Sequence, residues 1–500
     1  MSLLFLVIIP YIGGFFSFFL NRFCSRFSPR WNALFFTTST FFLVIIFLYK
    51  NYLYLKCIKN NSNQWISEFI FPWIPQLGID FHLAIDGLSL LMILLVSFLG
   101  VVSVLCSWFE KNKSMHVFYF HLLFIIGSVI GTFLSVDLFL FFCFWELTII
   151  PIYFLIIFWG EPDKCIKDKN KYLVKVANKF VTYSLISGLL MLLSIFGLVI
   201  NYYNISSNFS FDYQTLLKVS LDPNLELFLM ICFFLSFIIK MPIVPFHSWL
   251  PDLLMNSPKS GSVDIVGIII KTSLYGLLRF CVPLFPHSFS KIVPFAIFLG
   301  IFTAFYASWV AYSQTNIKRL IAYISISHMG MMLAAIYSGK SLLIYQGIVI
   351  QIIVQSLTTS ALIIIFGKLY KKINSMNIKD MGGLWFNLNW LPGLSLFFLI
   401  SNISIPGSGN FVGEFMTLLG MFKFSNFLSF MFLFLSIFSS LYSFNLMHRI
   451  YYGREKKIHF IEEKFITKSE FLIFFSFVFL ILLIGIFPKL ILDILYINTI

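Results

Sequence analysis

The sequence predicts an all-α polytopic membrane protein of about 14 transmembrane helices, with two inverted five-helix repeats that each contain one broken helix. Three observations lead there. Of 500 residues, 59% are hydrophobic and 11% charged, with 65 phenylalanines, and apolar runs of about 20 residues, the length that crosses a bilayer core as a helix, recur along the chain. Backbone N–H and C=O groups find no water in that core, so runs of this length satisfy them as helices, whereas an outer-membrane barrel would show shorter, alternating segments. Finally, two runs are interrupted by proline or glycine at corresponding places, each beside an ionisable residue.

The runs fall at 3–20, 32–49, 84–107, 117–134, 136–158, 177–200, 225–255, 261–283, 291–312, 320–337, 342–366, 391–422, 426–448 and 469–492. The first, MSLLFLVIIPYIGGFFSFFL, has no basic residue before it and three arginines after it, the reverse of a cleavable signal peptide. A polar stretch at 50–83 separates the second run from the third, which opens with Asp86 in HLAIDGLSLLM. These three fill residues 1–116. Runs four to eight, 117–283, form the first repeat: the fifth carries Glu146 in FFCFWELTIIPIYFLI, the seventh breaks after Lys240 in IIKMPIVPFHSWLPD, and the eighth carries Lys271 in GIIIKTSLYG. Runs nine to thirteen, 291–451, form the second: the tenth carries His328 in ISISHMGMM, and the twelfth breaks at SNISIPGSGNFVGEF, ahead of Glu414. The run at 469–492 stands outside both repeats.

Proline removes a backbone donor and clashes with the preceding turn, so Pro242, Pro245 and Pro406 divide their spans into half-helices with freed carbonyls. The net charge of +14 is topological. Of the 35 basic residues, 24 sit in loops after odd-numbered runs, 8 lie on the opposite side, and Lys240, Lys271 and Arg279 lie within runs. By the positive-inside rule the odd loops are cytoplasmic and both termini periplasmic, and no nucleic-acid partner is implied. The seven cysteines show neither a CxxC pair nor metal-ligand spacing, so a redox or metal centre in this chain is not expected. No phosphate-binding or dinucleotide glycine motif appears, and His247 without a spaced partner reads as a polar lining residue. No loop is long enough for a soluble domain, so function is expected within the membrane.

Charged groups at membrane depth cost about 2.5–3.5 kcal/mol each on insertion scales. A static ion pair would explain one or two. Glu146, Lys240, Lys271, His328 and Glu414 exceed that need, and groups of alternating sign in neighbouring spans mark proton pathways. Burial disfavours the charged form of both lysine and glutamate, which lets them trade protons. Asp86, Asp137, Asp252 and Asp264 lie nearer span ends, where capping or interfacial roles are expected.

The segments KMPIVPFHSWLPD (240–252), SGSVDIVGIIIKTSLYGLLRF (260–280), QTNIKRLIAYISISHMG (314–330), FLSVDLFLFFCFWELTIIPIYFLIIFWG (133–160) and IPGSGNFVGEFM (405–416) together resemble the proton-pumping, antiporter-like membrane subunits of bacterial NADH-quinone oxidoreductase, respiratory complex I. The resemblance runs from about residue 3 to 495. It implies a bacterial inner-membrane subunit that moves protons while quinone is reduced elsewhere in the complex. Partners would be sister antiporter-like subunits, other membrane and peripheral subunits, and the lipid bilayer. FMN, iron–sulfur clusters and quinone would reside in partner subunits, with no cofactor in this chain. Position by position, Lys240 matches the family's central lysine, Glu146 the glutamate that tunes it, Lys271 the connecting lysine and His328 a histidine of the axial chain. Glu414 matches the terminal glutamate of one branch, whose sisters have lysine there, and the chain length implies that the lateral helix of one sister is lacking. Gln355, in IQIIVQSLTTS, departs from a family histidine; glutamine can order water but cannot titrate. The alternatives are a subunit of a multi-subunit sodium/proton antiporter, to which this family is related, and a scaffold that has lost pumping.

Overall fold

The computed structural model describes residues 2–23, 28–57, 65–108, 114–162, 168–258, 265–339, 341–454, 456 and 468–495. Asp264 and several of the loop lysines and arginines lie outside the described residues.

Helices α1 (Ser2–Phe23) and α2 (Pro29–Cys57) lead to a small extramembrane ribbon of strands β1 (Ser67–Phe69), β2 (Pro72–Ile74), β3 (Ile79–Asp80) and β4 (Leu83–Ile85). Antiparallel β1 and β4 place Ser67 opposite Ile85, and antiparallel β2 and β3 are joined through a turn at Gly78, whose φ of 64° favours glycine. The polar stretch at 50–83 is therefore partly strand: Phe69, Trp73 and Ile74 are β-prone, and Pro75 and Gly78 supply the turn.

Helix α3 (Gly87–Cys106) starts at Asp86, which accepts from Ser89 N at 2.8 Å. Then come α4 (Met115–Leu134), α5 (Leu138–Leu147), α6 (Ile149–Trp159), the 38-residue α7 (Lys169–Ser206), α8 (Tyr213–Leu216), α9 (Pro223–Lys240), α10 (Trp249–Met255), α11 (Ile265–Gly276), a π-helical turn over Leu277–Cys281, and α12 (Val282–Leu284). Asp137 caps α5, accepting from Phe139 N and Leu140 N at 2.9 and 3.0 Å. Asp86 and Asp137 thus cap as expected. Asp252 instead bridges Lys179 at 2.7 Å and Arg319 at 3.2 Å.

The remainder is α13 (Pro286–Ser313), α14 (Ile317–Tyr337), α15 (Leu342–Ile373), α16 (Leu391–Asn402), α17 (Gly409–Phe422), α18 (Asn426–Met447) with a π turn over His448–Tyr452, α19 (Lys468–Ile486) and α20 (Lys489–Leu495). Among the described residues, 10 helices are long and apolar enough to cross a membrane, or 11 if the pair bent by 73° at its C-terminal end counts as one span. That is fewer than the 14 expected. The first run gives a 17-residue apolar core, Leu3–Phe19, the eighth begins outside the described residues, and the twelfth is split into α16 and α17.

Burial sorts the helices. The most apolar stretch of α15 is 100% buried and that of α14 94%, against 22% for α2, so α14 and α15 form the centre and α2 lies at the rim. Helices α15 and α17 approach closely: a β-carbon on Gly413 would stand 3.0 Å from both Gln351 N and Gly347 O. That contact fixes α17, and with it the neighbouring Glu414, against the buried central helix.

Candidate functional site

The two interrupted spans break as the prolines and glycines require. Helix α9 stops at Lys240, Pro242 and Pro245 follow, and α10 begins at Trp249. The Trp249 indole N–H returns to the carbonyl of Ile239 at 3.1 Å, satisfying one freed acceptor. Helix α16 stops at Asn402, Ser404 and Gly407 take φ values of 65° and 95°, and Ser408 caps α17. There Asn410 Nδ2 returns to the carbonyl of Ser401 at 2.9 Å. In each break a side chain of the second half-helix ties back to the end of the first.

Lys240 is buried and donates to the carbonyl oxygen of Trp145 at 3.2 Å, with its Nζ 3.9 Å from the Trp145 ring centroid. The same carbonyl, near the end of α5 at Leu147, also accepts from the Thr148 hydroxyl at 2.8 Å. A helix C-terminus favours a cation, and the indole face adds a cation–π contact. Glu146 is close enough to act electrostatically on Lys240, and its Oε1 has no hydrogen-bond partner. The carboxylate lies against Gly188 of α7, where a β-carbon would stand 2.0 Å from Oε1. Glu146 and Lys240 are therefore brought together, with Trp145 and Gly188 shaping their contact.

Lys271, buried on α11, points its Nζ toward Met329 Sδ at 4.0 Å and acts electrostatically on the adjacent His328. His328 Nδ1 stands 3.6 Å from Glu414 Oε1, with side-chain exposures of 3% and 12%. Lys271, His328 and Glu414 thus form a second group, and Glu414 is its less enclosed member. Asn402 lies beside both His328 and Tyr442 at the end of α16, and Ser404 lies beside Glu414. On α15, Gln351 and Gln355 are one turn apart and 1% exposed, and all four of their amide N and O atoms lack a protein partner. Buried amides in that state are fit to hold water.

His247 packs between the rings of Tyr306 and Tyr323, at 5.3 and 6.1 Å, as a lining residue. Arg279, the third cation within a span, pairs with Asp86 at 2.7 Å and lies over the Trp65 ring at 4.2 Å. It is a fastening between α3 and the π turn, apart from the other two groups.

Reading the sequence for ionisable residues missed Trp145, Gly188, Asn402, Tyr442 and Gln351. Two signals were available: the tryptophan directly before Glu146, and the asparagine two residues before the SIPGSG break. Nothing in the sequence marks Gly188 or Tyr442.

Residues 135–439 match the family described as NADH:quinone oxidoreductase/Mrp antiporter, TM. The chain is 47% identical over 495 residues to NADH-quinone oxidoreductase subunit M of Buchnera aphidicola subsp. Schizaphis graminum, covering 99% of this chain and 97% of that one. It is 45% identical over 494 residues to the protein of the same name from Escherichia coli strain K12, covering 99% and 96%. Its fold superposes on a chain of respiratory complex I from Thermus thermophilus with bound NADH at a TM-score of 0.84, with 25% identity and 100% of both chains covered.

Proposed function

Because the chain belongs to the NADH:quinone oxidoreductase/Mrp antiporter family, and within it to the subunit M branch of NADH-quinone oxidoreductase, we propose that it translocates protons in that complex through its own buried side chains. The observation that carries this reading is the contact of His328 with Glu414, 3.6 Å apart beside the second helix break. Lys240 is the central proton carrier, tuned by the approach and withdrawal of Glu146. Lys271 and His328 pass charge toward the second break, and Glu414 is the terminal acceptor. Electron transfer, with FMN, iron–sulfur clusters and quinone, is assigned in this reading to partner subunits. Sister antiporter-like subunits flank it in the bacterial inner membrane.

The matching tie-backs in the two breaks, Trp249 to Ile239 and Asn410 to Ser401, support a division into repeats at 117–283 and 291–451, with 1–116 and 469–492 outside them. The asymmetry of loop cations supports both termini being periplasmic.

Affinity purification of the tagged chain from its native membrane tests the assignment. Peripheral flavin and iron–sulfur subunits should co-purify with it. Recovery with only antiporter-type membrane subunits would overturn the reading in favour of a sodium/proton antiporter.

A further inference from the structure

The contact between α16 and α18 contains more polar groups than packing requires. Asn402 and Ser395 lie two turns apart on one buried face of α16, with Tyr442 and Ser443 on the buried face of α18 and Tyr451 in the π turn that follows. The Ser443 hydroxyl has no protein hydrogen-bond partner, and Asn402, Tyr442 and Tyr451 approach His328, one another or Ser395 without closing a well-formed hydrogen bond. Each such group costs about 1–3 kcal/mol when left unsatisfied, so a contact serving only adhesion would be built from residues such as Phe398 and Leu446, which flank it.

The groups also run in sequence. Asn402 stands beside His328 at one side and Tyr442 at the other. Ser443 is two turns from Tyr451 along α18 and its π turn, and Ser395 reaches both Met447 Sδ, at 3.9 Å, and the neighbourhood of Tyr451. Asn402 and Ser395 are seven residues apart, about 10 Å along the helix axis. The far end is covered by the segment holding Leu384 and Trp385, whose N–H groups donate to the carbonyls of Ile450 and Tyr451 at 3.4 and 3.2 Å. That end lies on the face that carries Lys371 and Lys372 in the last turn of α15, Arg449 in the π turn, and Lys379 and Arg454 in the connecting segments.

We propose that the seam between α16 and α18 is a second proton intake, a hydrated line from the basic-loop face at Tyr451 to His328, which supplies the second half of the relay without passing Lys240. The proposal rests on the relay reading above. Buried water at polar sites typically makes about three hydrogen bonds, which these groups provide. Each hydroxyl or water takes up one proton as it releases another, so the line is unchanged after each passage. Asn402 positions the last water against His328 and carries no proton itself.

Cysteine accessibility in the assembled complex tests this. Ser395→Cys and Ser443→Cys are exposed to a small, cationic, membrane-impermeant methanethiosulfonate, in vesicles of each orientation, and labelling is followed by peptide mass spectrometry. Both should label an order of magnitude faster from the basic-loop face than from the other, and faster than Val349→Cys at a buried apolar position of α15. Should one variant fail to assemble, the other carries the comparison. Ser443→Leu should lower the protons moved per NADH oxidised in assembled complexes, with Ser443→Thr restoring them. Labelling no faster than at Val349→Cys, or faster from the opposite face, overturns the intake. Because labelling does not depend on pumping, its failure is distinguishable from failure of the relay, which variants of Lys240 and Glu414 report.

Discussion

Lys240 donates its hydrogen bond to the backbone carbonyl of Trp145, at 3.2 Å, and not to the neighbouring carboxylate of Glu146. A buried lysine locked in a hydrogen-bonded ion pair would be held charged, and breaking such a pair costs about 3–5 kcal/mol. A lysine held by a neutral carbonyl and an indole face keeps its place while the approach of Glu146 sets how readily it gives up a proton. The geometry thus separates holding the cation from tuning it.

Lys240→Ala and Lys240→Arg should therefore both lose most proton transport in assembled complexes. Arginine preserves the charge and the contact with the Trp145 ring but cannot be deprotonated. The check is the proton gradient formed by inverted vesicles per NADH oxidised. Full transport by the alanine variant would remove Lys240 from the relay.

Gly188→Ala places a methyl where Glu146 Oε1 now sits, 2.0 Å from the new β-carbon. The carboxylate must move, changing its influence on Lys240, and overpacking of this type costs about 1–3 kcal/mol. Gly197→Ala is the matched control on the same helix, because its β-carbon would meet Leu229 Cδ2 at 2.4 Å, away from the glutamate. Both variants should lower thermal stability, and Gly188→Ala alone should lower proton yield. Equal yields in the two would show that the position of Glu146 does not matter to transport.

The legible part of this protein was its punctuation. Single prolines such as Pro10 in α1 and Pro294 in α13 are carried within helices, but a proline pair or a Pro-Gly step ends one, so the breaks after Lys240 and Asn402 could be placed from the chain alone. Buried charge is equally local in its cost, so Glu146, Lys240, Lys271, His328 and Glu414 announced themselves. Partner choice is not local. Lys240 meeting a carbonyl of α5, Glu146 fitting against a glycine of α7, and Asn402 standing between α14 and α18 all depend on helix packing that no single segment encodes. The ribbon over residues 67–85 was hidden for a related reason: its strands are two or three residues long, too short for alternation to emerge.

Arg279 and Asp86 form an ion pair at 2.7 Å with side-chain exposures of 17% and 2%. Removing one partner leaves the other charge buried, at a cost of about 3–5 kcal/mol. Asp86→Asn alone or Arg279→Met alone should lower the thermal stability of the complex more than the double variant does. Thermal unfolding of purified complexes measures this, and a double variant as unstable as the sum of the two singles would show that the charges are not coupled.

Gln355 occupies a buried position on α15 with both amide atoms lacking a protein partner. As a holder of water it tolerates histidine, which offers similar polar atoms, and does not tolerate leucine, which offers none. Gln355→His should change proton transport little and Gln355→Leu should impair it. Unimpaired transport in the leucine variant would reduce the position to packing.

Glu414 distinguishes a terminal proton acceptor from a fixed negative charge that only biases its neighbours. It lies beyond the second helix break, 3.6 Å from His328, and its side chain is 12% exposed against 3% for the histidine, so it is the better placed to exchange protons with an outlet. Asp keeps a titrating carboxyl on a shorter stem, Gln keeps the size and hydrogen bonding without the titration, and Lys titrates with inverted charge beside Lys271 and His328. A terminal acceptor requires proton binding and release in each cycle, so Asp should transport best of the three, Gln poorly, and Lys at most in part. A fixed charge gives another order: Asp would match the native residue, and Lys, with the wrong sign, would be worse than neutral Gln. Proton yield per NADH oxidised in assembled complexes reads the order directly. Transport by Glu414→Gln equal to the native chain would exclude Glu414 from the relay and place the outlet elsewhere.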